Sequence, residues 1–162
     1  MEMVYIVFRA ARGEASHFNL GTTFAQIAYT LMGIGAVTMT AVILHVGWRL
    51  WRQRRDGMVT EAAAVGLMLA AVLGTVTAGY MSSQTGHAVG GMPGTGIGFF
   101  GWSTSGGDLR IAHFIGLHAA QFVPIAALSG RRGTVYAAAA LITAATIAVF
   151  LQALAGMPLL RG

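Results

Sequence analysis

The segment Ala62–Met81 reads AAAVGLMLAAVLGTVTAGYM, and none of these twenty side chains is charged. A bilayer core about 30 Å thick needs roughly twenty apolar residues in a helix, so this segment predicts a membrane span. Three further segments are similarly apolar, and the four predicted spans cover about residues 22–48, 62–81, 109–128 and 134–154. The sequence therefore predicts an all-α integral membrane four-helix bundle that forms a single domain, residues 1–162.

Composition supports a membrane protein. Only 9% of the residues are charged and 56% are hydrophobic, whereas an average soluble domain has about 25% charged residues. All ten basic residues are arginine and the chain has no cysteine, which excludes lysine Schiff bases, disulfides, thiolate metal sites and cysteine nucleophiles. The arginines cluster at the ends of apolar segments, where they orient a protein in the bilayer, so the lipid bilayer and not nucleic acid is the expected partner.

The distribution of arginine predicts the orientation. Short cytoplasmic loops carry an excess of basic residues, and six arginines follow the first span or lie between the third and fourth. The connection 82–108, which has nine glycines and no basic residue, is then extracytoplasmic, and so are both termini. This glycine-rich loop is predicted to fold against the mouth of the bundle, whereas Met3–Phe8 is too short to span and predicts an interfacial segment. The six arginines are Arg49, Arg52, Arg54, Arg55, Arg131 and Arg132, against Arg9, Arg12 and Arg161 on the opposite side.

Small residues recur at every fourth position in two of the spans. Such stripes let membrane helices approach closely. They favour packing within the bundle, and a homo-oligomer or another membrane partner is the alternative. The stripes are Ala62, Gly66, Ala70, Gly74 and Ala78 in the second span, and Ala140, Ala144 and Ala148 in the fourth.

The third span concentrates the polar chemistry of the chain. Polar and ionisable groups in lipid are unfavourable and frequently functional. On a helical wheel the polar side chains share an arc of roughly 140°, opposite the small residues Ala112, Gly116 and Ala119. This arc is predicted to face the bundle interior or a wet cavity, with Asp108 as the N-cap of the helix. The predicted polar-site residues are Asp108, Arg110, His113, His118 and Gln121.

The polar residues of this span are predicted to lie at two different depths in the membrane. Asp108 and Arg110 are too close in sequence to share a helical face, and His113 belongs with Asp108 at the outer mouth. His118 and Gln121 belong to a deeper polar network, which Tyr80 and Gln152 extend.

Three histidines form a candidate metal site. His17, His87 and His113 are each predicted at the outer mouth, near Glu14 and Asp108, and such a set could hold a divalent zinc, copper or iron ion. A b-type haem is the alternative cofactor, and it needs two histidines at equal depth on different helices. His45 lies near the opposite end of its span and does not meet that condition.

The predicted function is that of a multi-pass membrane protein with an outward-facing His/Asp/Arg site for a metal or small ligand, accessory rather than catalytic. No order of nucleophile, histidine and acid predicts a hydrolase. The alternatives are a haem-binding redox subunit and a component of an oligomeric transporter or channel.

Four motifs resemble those of uncharacterised bacterial polytopic inner-membrane proteins. The resemblance implies the bacterial inner membrane as location and brings no activity. Longer members of that family carry helices ahead of the first motif, and Met1–Ala11 is the corresponding part of this chain. The motifs are Ser16-His17-Phe18-Asn19, Met32-Gly33-Ile34-Gly35-Ala36-Val37, Gly86-His87-Ala88-Val89-Gly90 and Trp102-Ser103-Thr104-Ser105-Gly106-Gly107-Asp108-Leu109-Arg110-Ile111-Ala112-His113-Phe114.

Overall fold

The computed structural model describes residues 2–14, 16–17, 21–54, 57–84, 86–91, 96–97 and 100–160. Within these ranges the chain forms six α-helices and four strands of two residues each, so the all-α class is confirmed. Phe18, Asn19, Arg55 and Arg161, which are named above, lie outside the described ranges, and so do Gly94, Thr95, Gly98 and Phe99 of the glycine-rich connection.

Among the described residues, three helices are long and apolar enough to cross a bilayer. They are α2 (Thr23–Arg52), α3 (Met58–Ser82) and α6 (Arg132–Leu154), with mean hydropathies of 1.9, 1.9 and 2.1 over their most apolar windows. They match the first, second and fourth predicted spans, each with slightly different ends. The amino-terminal segment forms a short helix, α1 (Glu2–Ala11).

The third predicted span is a bent pair of helices. It consists of α4 (Leu109–Leu117) and α5 (Ala119–Ala126), followed by a 3-10 turn that ends at Ser129. The two parts are bent by 41°, and they provide a fourth crossing if the pair is one span. Pro124 falls inside α5, whereas the bend lies at His118. There the backbone N–H and the Nδ1 atom of His118 both donate to the carbonyl of Phe114, at 3.1 and 2.7 Å, and α4 ends.

The chain divides into two compact units, residues 1–41 and 42–162. In the first unit, α1 and the beginning of α2 line an apolar groove of about 750 Å³. The rings of Tyr5 and Phe24 lie 6.1 Å apart, and Arg9 pairs with Glu14 at 2.5 Å.

The second unit is built around α3, which packs against α4, α5 and α6. The small-residue stripe of α3 makes this packing possible. A Cβ atom at Gly66 would lie 2.7 Å from the Ala119 carbonyl oxygen, and one at Gly74 would lie 2.7 Å from Cδ2 of Leu117. The prediction of packing within the bundle is thus confirmed for α3. It is wrong for the stripe of α6, because Ala140, Ala144 and Ala148 are exposed and α6 packs through Val135, Ala139, Thr146 and Ala153.

The glycine-rich connection contains two short antiparallel strand pairs. Strand β1 (Ala88–Val89) pairs with β4 (Gly107–Asp108), and β2 (Gly96–Ile97) pairs with β3 (Trp102–Ser103). Because β4 leads directly into α4, this connection lies at one end of the second unit. We call it the loop end. The opposite end, where α2 and α5 finish and α3 and α6 begin, is the arginine end.

Candidate functional site at the loop end

Asp108 and Arg110 form a bidentate ion pair at the start of α4. The Nε atom of Arg110 donates to Oδ1 of Asp108 at 2.9 Å, and its Nη2 donates to Oδ2 at 2.6 Å. Asp108 has extended backbone and its side chain also accepts from the Arg110 backbone N–H at 3.0 Å. The predicted N-cap is therefore confirmed. The two side chains meet in spite of their spacing because Asp108 lies outside the helix and is not bound by helical geometry.

The pair ties the connection to the helix. Arg110 Nη2 donates to the carbonyl of Gly101 at 2.6 Å, and the backbone N–H of Ser103 donates to Oδ2 of Asp108 at 3.1 Å. Burial by itself would raise the pKa of Asp108, but the hydrogen bonds from Arg110 and Ser103 outweigh it and lower the pKa below 3.8. Asp108 is thus a buried carboxylate that accepts four hydrogen bonds within the chain, which leaves little of either oxygen for a metal ion.

One edge of the Arg110 guanidinium has no hydrogen-bond acceptor among the described residues. A guanidinium has five N–H donors, and Nε and Nη2 account for three of them. Among the described residues nothing accepts from Nη1, and the side chain is 34% exposed. The guanidinium is thus held in a fixed position, on a side chain that is about one-third exposed.

His87 lies beside this pair. Its carbonyl accepts from the backbone N–H of Leu109 at 2.9 Å, which holds the residue next to the start of α4. Burial lowers the pKa of His87 below 6.5, and the positive charge of Arg110 lowers it further while the charge of Asp108 opposes the change. The imidazole is thus neutral at pH 7, and it makes no hydrogen bond with the described part of the chain. We call His87, Asp108 and Arg110 the loop-end cluster.

His113 is directed into the interface between α3 and α4. Its Nδ1 atom lies 2.9 Å from Oγ1 of Thr77, which itself donates to the carbonyl of Leu73 at 2.7 Å. His113 lies just over one helical turn after Asp108 in sequence. Its side chain contacts the neighbouring helix α3 through Thr77. The side chain stabilises helix packing at this position.

The predicted polar arc does not face inward as a whole: His113 does, but Gln121 does not. Ala112, Gly116 and Ala119 form the buried face, whereas Gln121 is exposed and His118 is half-buried. Small side chains let α4 approach its neighbours closely, and a Cβ atom at Gly116 would lie only 2.9 Å from that of Leu73. Close packing of the backbones thus decides which face is buried.

The predicted deep polar network does not form. His118 donates through Nδ1 to the Phe114 carbonyl at 2.7 Å, within its own helix. Gln152 donates to the carbonyl of Pro158 at 2.8 Å, and the ring of Tyr80 packs edge-on against Phe150 at 5.4 Å. None of these side chains has a described contact with Gln121.

The metal hypothesis gains no support. The described residues contain no group of three or more His, Cys, Asp or Glu side chains that could hold a metal ion. His17 belongs to the first unit, where its Nδ1 lies 3.0 Å from Oγ of Ser16, whereas His87 and His113 belong to the second. A haem site gains none either, because His113 and His118 follow one another on the same bent pair and His45 is exposed on α2.

A second polar cluster, which was not predicted from the sequence, lies at the arginine end. Glu61 is buried, accepts a short hydrogen bond from the hydroxyl of Tyr136, and pairs with Nε of Arg132 at 3.2 Å. The signal in the sequence is a lone carboxylate at the start of an apolar segment that follows a run of arginines. The cluster joins the beginnings of α3 and α6.

No family model, curated protein or solved structure matches this chain. The function is therefore inferred from the geometry of the second unit.

Proposed function

We propose that this chain is an accessory, non-enzymatic protein of the bacterial inner membrane whose loop-end cluster binds a small ligand with an oxygen acceptor. The observation that carries the proposal is the hydrogen bonding of the Arg110 guanidinium. Its guanidinium is held by Asp108 and Gly101, yet its Nη1 atom has no acceptor among the described residues, and the side chain is 34% exposed. A fixed, unpaired donor group of this kind binds a carboxylate, phosphate or carbonyl oxygen with little loss of side-chain entropy.

The arrangement of the cluster favours such a ligand over a metal ion. Burial and Arg110 lower the pKa of His87, so its imidazole is neutral at pH 7 and by itself suits either kind of ligand. A divalent cation at His87 would lie close to the positive guanidinium, while the oxygens of Asp108 are already bonded. An acceptor oxygen meets favourable charge at Arg110 and can accept a further hydrogen bond from the imidazole of His87.

The same geometry favours binding without reaction. A general base or nucleophile must lie within hydrogen-bond reach of its catalytic partner. In the described part of the chain, Asp108 is committed to four donors and the His87 ring contacts no hydroxyl nucleophile. The cluster therefore supports recognition of a ligand rather than its conversion.

The proposal predicts a ligand-dependent increase in stability that requires the second edge of Arg110. We expect at least one of acetate, succinate and inorganic phosphate to raise the unfolding temperature of the purified protein in detergent. The variant Arg110→Lys retains a cation for Asp108 but lacks the paired donors of Nη1, and should lose this response. A ligand at 100 times its dissociation constant contributes about 2.7 kcal/mol, which a thermal-shift measurement detects.

The matched control is Arg131→Gln, which removes an exposed arginine from the opposite end of the unit. It should keep the full response. If no compound stabilises the wild type, or if Arg110→Lys responds as strongly, the proposal is wrong. If a stoichiometric metal copurifies with the wild type and is lost in His87→Gln, the cluster is a metal site and not a site for an oxygen-containing ligand.

A further inference from the structure

Gln121 occupies an unusual place on the surface of the second unit. It lies on α5 with its side chain exposed, and the described part of the chain offers its carboxamide no hydrogen bond. Its neighbours on the same surface are exposed large apolar side chains: Leu117 is 41% exposed, Phe122 55% and Ile125 57%. We call Leu117, Gln121, Phe122 and Ile125 the glutamine face.

The depth of Gln121 makes this exposure significant. The residue lies twelve positions after Leu109, where α4 begins, which corresponds to about 18 Å along the helical path. Half of a bilayer core is about 15 Å, so Gln121 lies near the middle of the hydrocarbon if the bent pair crosses the membrane. A carboxamide there has two donors and an acceptor and finds no water, so it favours a partner that supplies matching groups.

We propose that the glutamine face is the interface between two copies of this chain, with the Gln121 side chains hydrogen-bonded to each other. A carboxamide is self-complementary, because each one donates through its NH₂ and accepts through its carbonyl oxygen. Two copies inserted in the same orientation bring the same residue to the same depth around a two-fold axis. The inference goes beyond the proposed function and does not depend on it.

The apolar residues around Gln121 fit this occupant. Ile125 lies one turn after Gln121 on α5. Leu117 is the last residue of α4, before the bend; part of its side chain packs against Gly74, and the rest is exposed. The exposed parts of Leu117 and Ile125 would contact the second copy on either side of the hydrogen-bonded pair. A lipid chain would cover them equally well but offers the carboxamide no partner. A second copy satisfies both the apolar and the polar part of the face.

The absence of cysteine permits a direct test by single-cysteine cross-linking in membrane vesicles. Leu117→Cys and Ile125→Cys should each give, on oxidation, a disulfide-linked product of twice the 16.9 kDa chain. Leu141→Cys is the matched control, because Leu141 is 69% exposed but lies on α6. It should give little cross-linked product.

A second substitution tests the carboxamide itself. Adding Gln121→Leu to Leu117→Cys should weaken association about fivefold to tenfold, as expected for one interhelical hydrogen-bonded pair. Because Gln121 makes no bond within the described chain, this variant should keep its helical circular dichroism. Equal cross-linking at all three positions, no effect of Gln121→Leu, or a product of a different mass would each overturn the proposal.

Discussion

Of the glycines that the structure describes, Gly107 leaves the least room for a side chain. It pairs with Val89 in the short sheet, and a Cβ atom on it would overlap the backbone carbonyl of Ala153 near the end of α6. Backbone atoms cannot move aside as a flexible side chain can. Glycine at this position therefore sets how closely the connection packs against α6, and thereby where the loop-end cluster lies.

We expect Gly107→Ala to destabilise the protein by about 1–3 kcal/mol, the usual cost of overpacking. The matched control is Gly79→Ala, since a Cβ atom at Gly79 in α3 meets nothing within 4 Å. Alanine in a helix is favoured over glycine by about 1 kcal/mol, so the control should be neutral or stabilising. Denaturation in mild detergent measures both. A Gly107→Ala protein as stable as the control would contradict the close approach of the connection to α6.

At the scale of elements, α4 depends on its cap. Asp108 accepts from the backbone and the side chain of Arg110, so the first turn of α4 and the connection share one carboxylate. Removal of a buried ion-pair partner leaves the other charge without compensation. Loss of the charge on Asp108 would therefore destabilise both the first turn of α4 and the glycine-rich connection.

The pH dependence of stability should reveal this carboxylate. The hydrogen bonds from Arg110 and Ser103 outweigh burial and lower the pKa of Asp108 in the folded state, so its stabilising effect is fully present above 3.8 and is lost as pH falls through the folded pKa. We expect Asp108→Asn to be about 1–3 kcal/mol less stable than the wild type at pH 7. The difference should narrow below pH 3.8. A constant difference from pH 7 to the acid limit of the measurement would contradict a charged Asp108.

The helices could be predicted from the sequence because length and apolarity alone determine them. The bounds of α2, α3 and α6 follow the apolar segments closely, and the cap at Asp108 follows from local chemistry. The face that α4 buries could not be predicted in the same way. A helical wheel counts polarity, whereas the buried face is set by the size of Ala112, Gly116 and Ala119 against α3 and α6.

The loop-end cluster could be predicted only in part, for a related reason. Asp108 and Arg110 were recognised as polar residues of one segment, but their bidentate pairing depends on the extended backbone of Asp108. The place of His87 beside them depends on the pairing of β1 with β4. Strands of two residues leave no periodic pattern in a sequence, so such contacts between distant segments are visible only in three dimensions.

At the scale of the whole molecule, the contacts along α3 indicate the path of the bent pair. From the loop end towards the arginine end, His113 meets Thr77, Leu117 meets Gly74, and Ala119 meets Gly66. The pair therefore runs antiparallel to α3 over most of its length. Its twenty-one residues, Leu109–Ser129, extend about 31 Å in helical form, which is enough to cross the core.

Arg54 and Arg132 lie at the same end of the second unit, since Arg132 pairs with Glu61 near the start of α3 and Arg54 precedes that helix. By the positive-inside rule this end should be cytoplasmic.

We expect a membrane-impermeant maleimide to label Gln84→Cys, at the loop end, in right-side-out vesicles, and Gly133→Cys only in inverted ones. Both positions are exposed, and a Cβ atom at Gly133 meets nothing within 4 Å. If Gln84→Cys were labelled only in inverted vesicles and Gly133→Cys only in right-side-out ones, the orientation would be wrong but the crossing of the bent pair would stand. Labelling of both positions from the same side would mean that α4 and α5 form a re-entrant hairpin, which the contacts along α3 argue against.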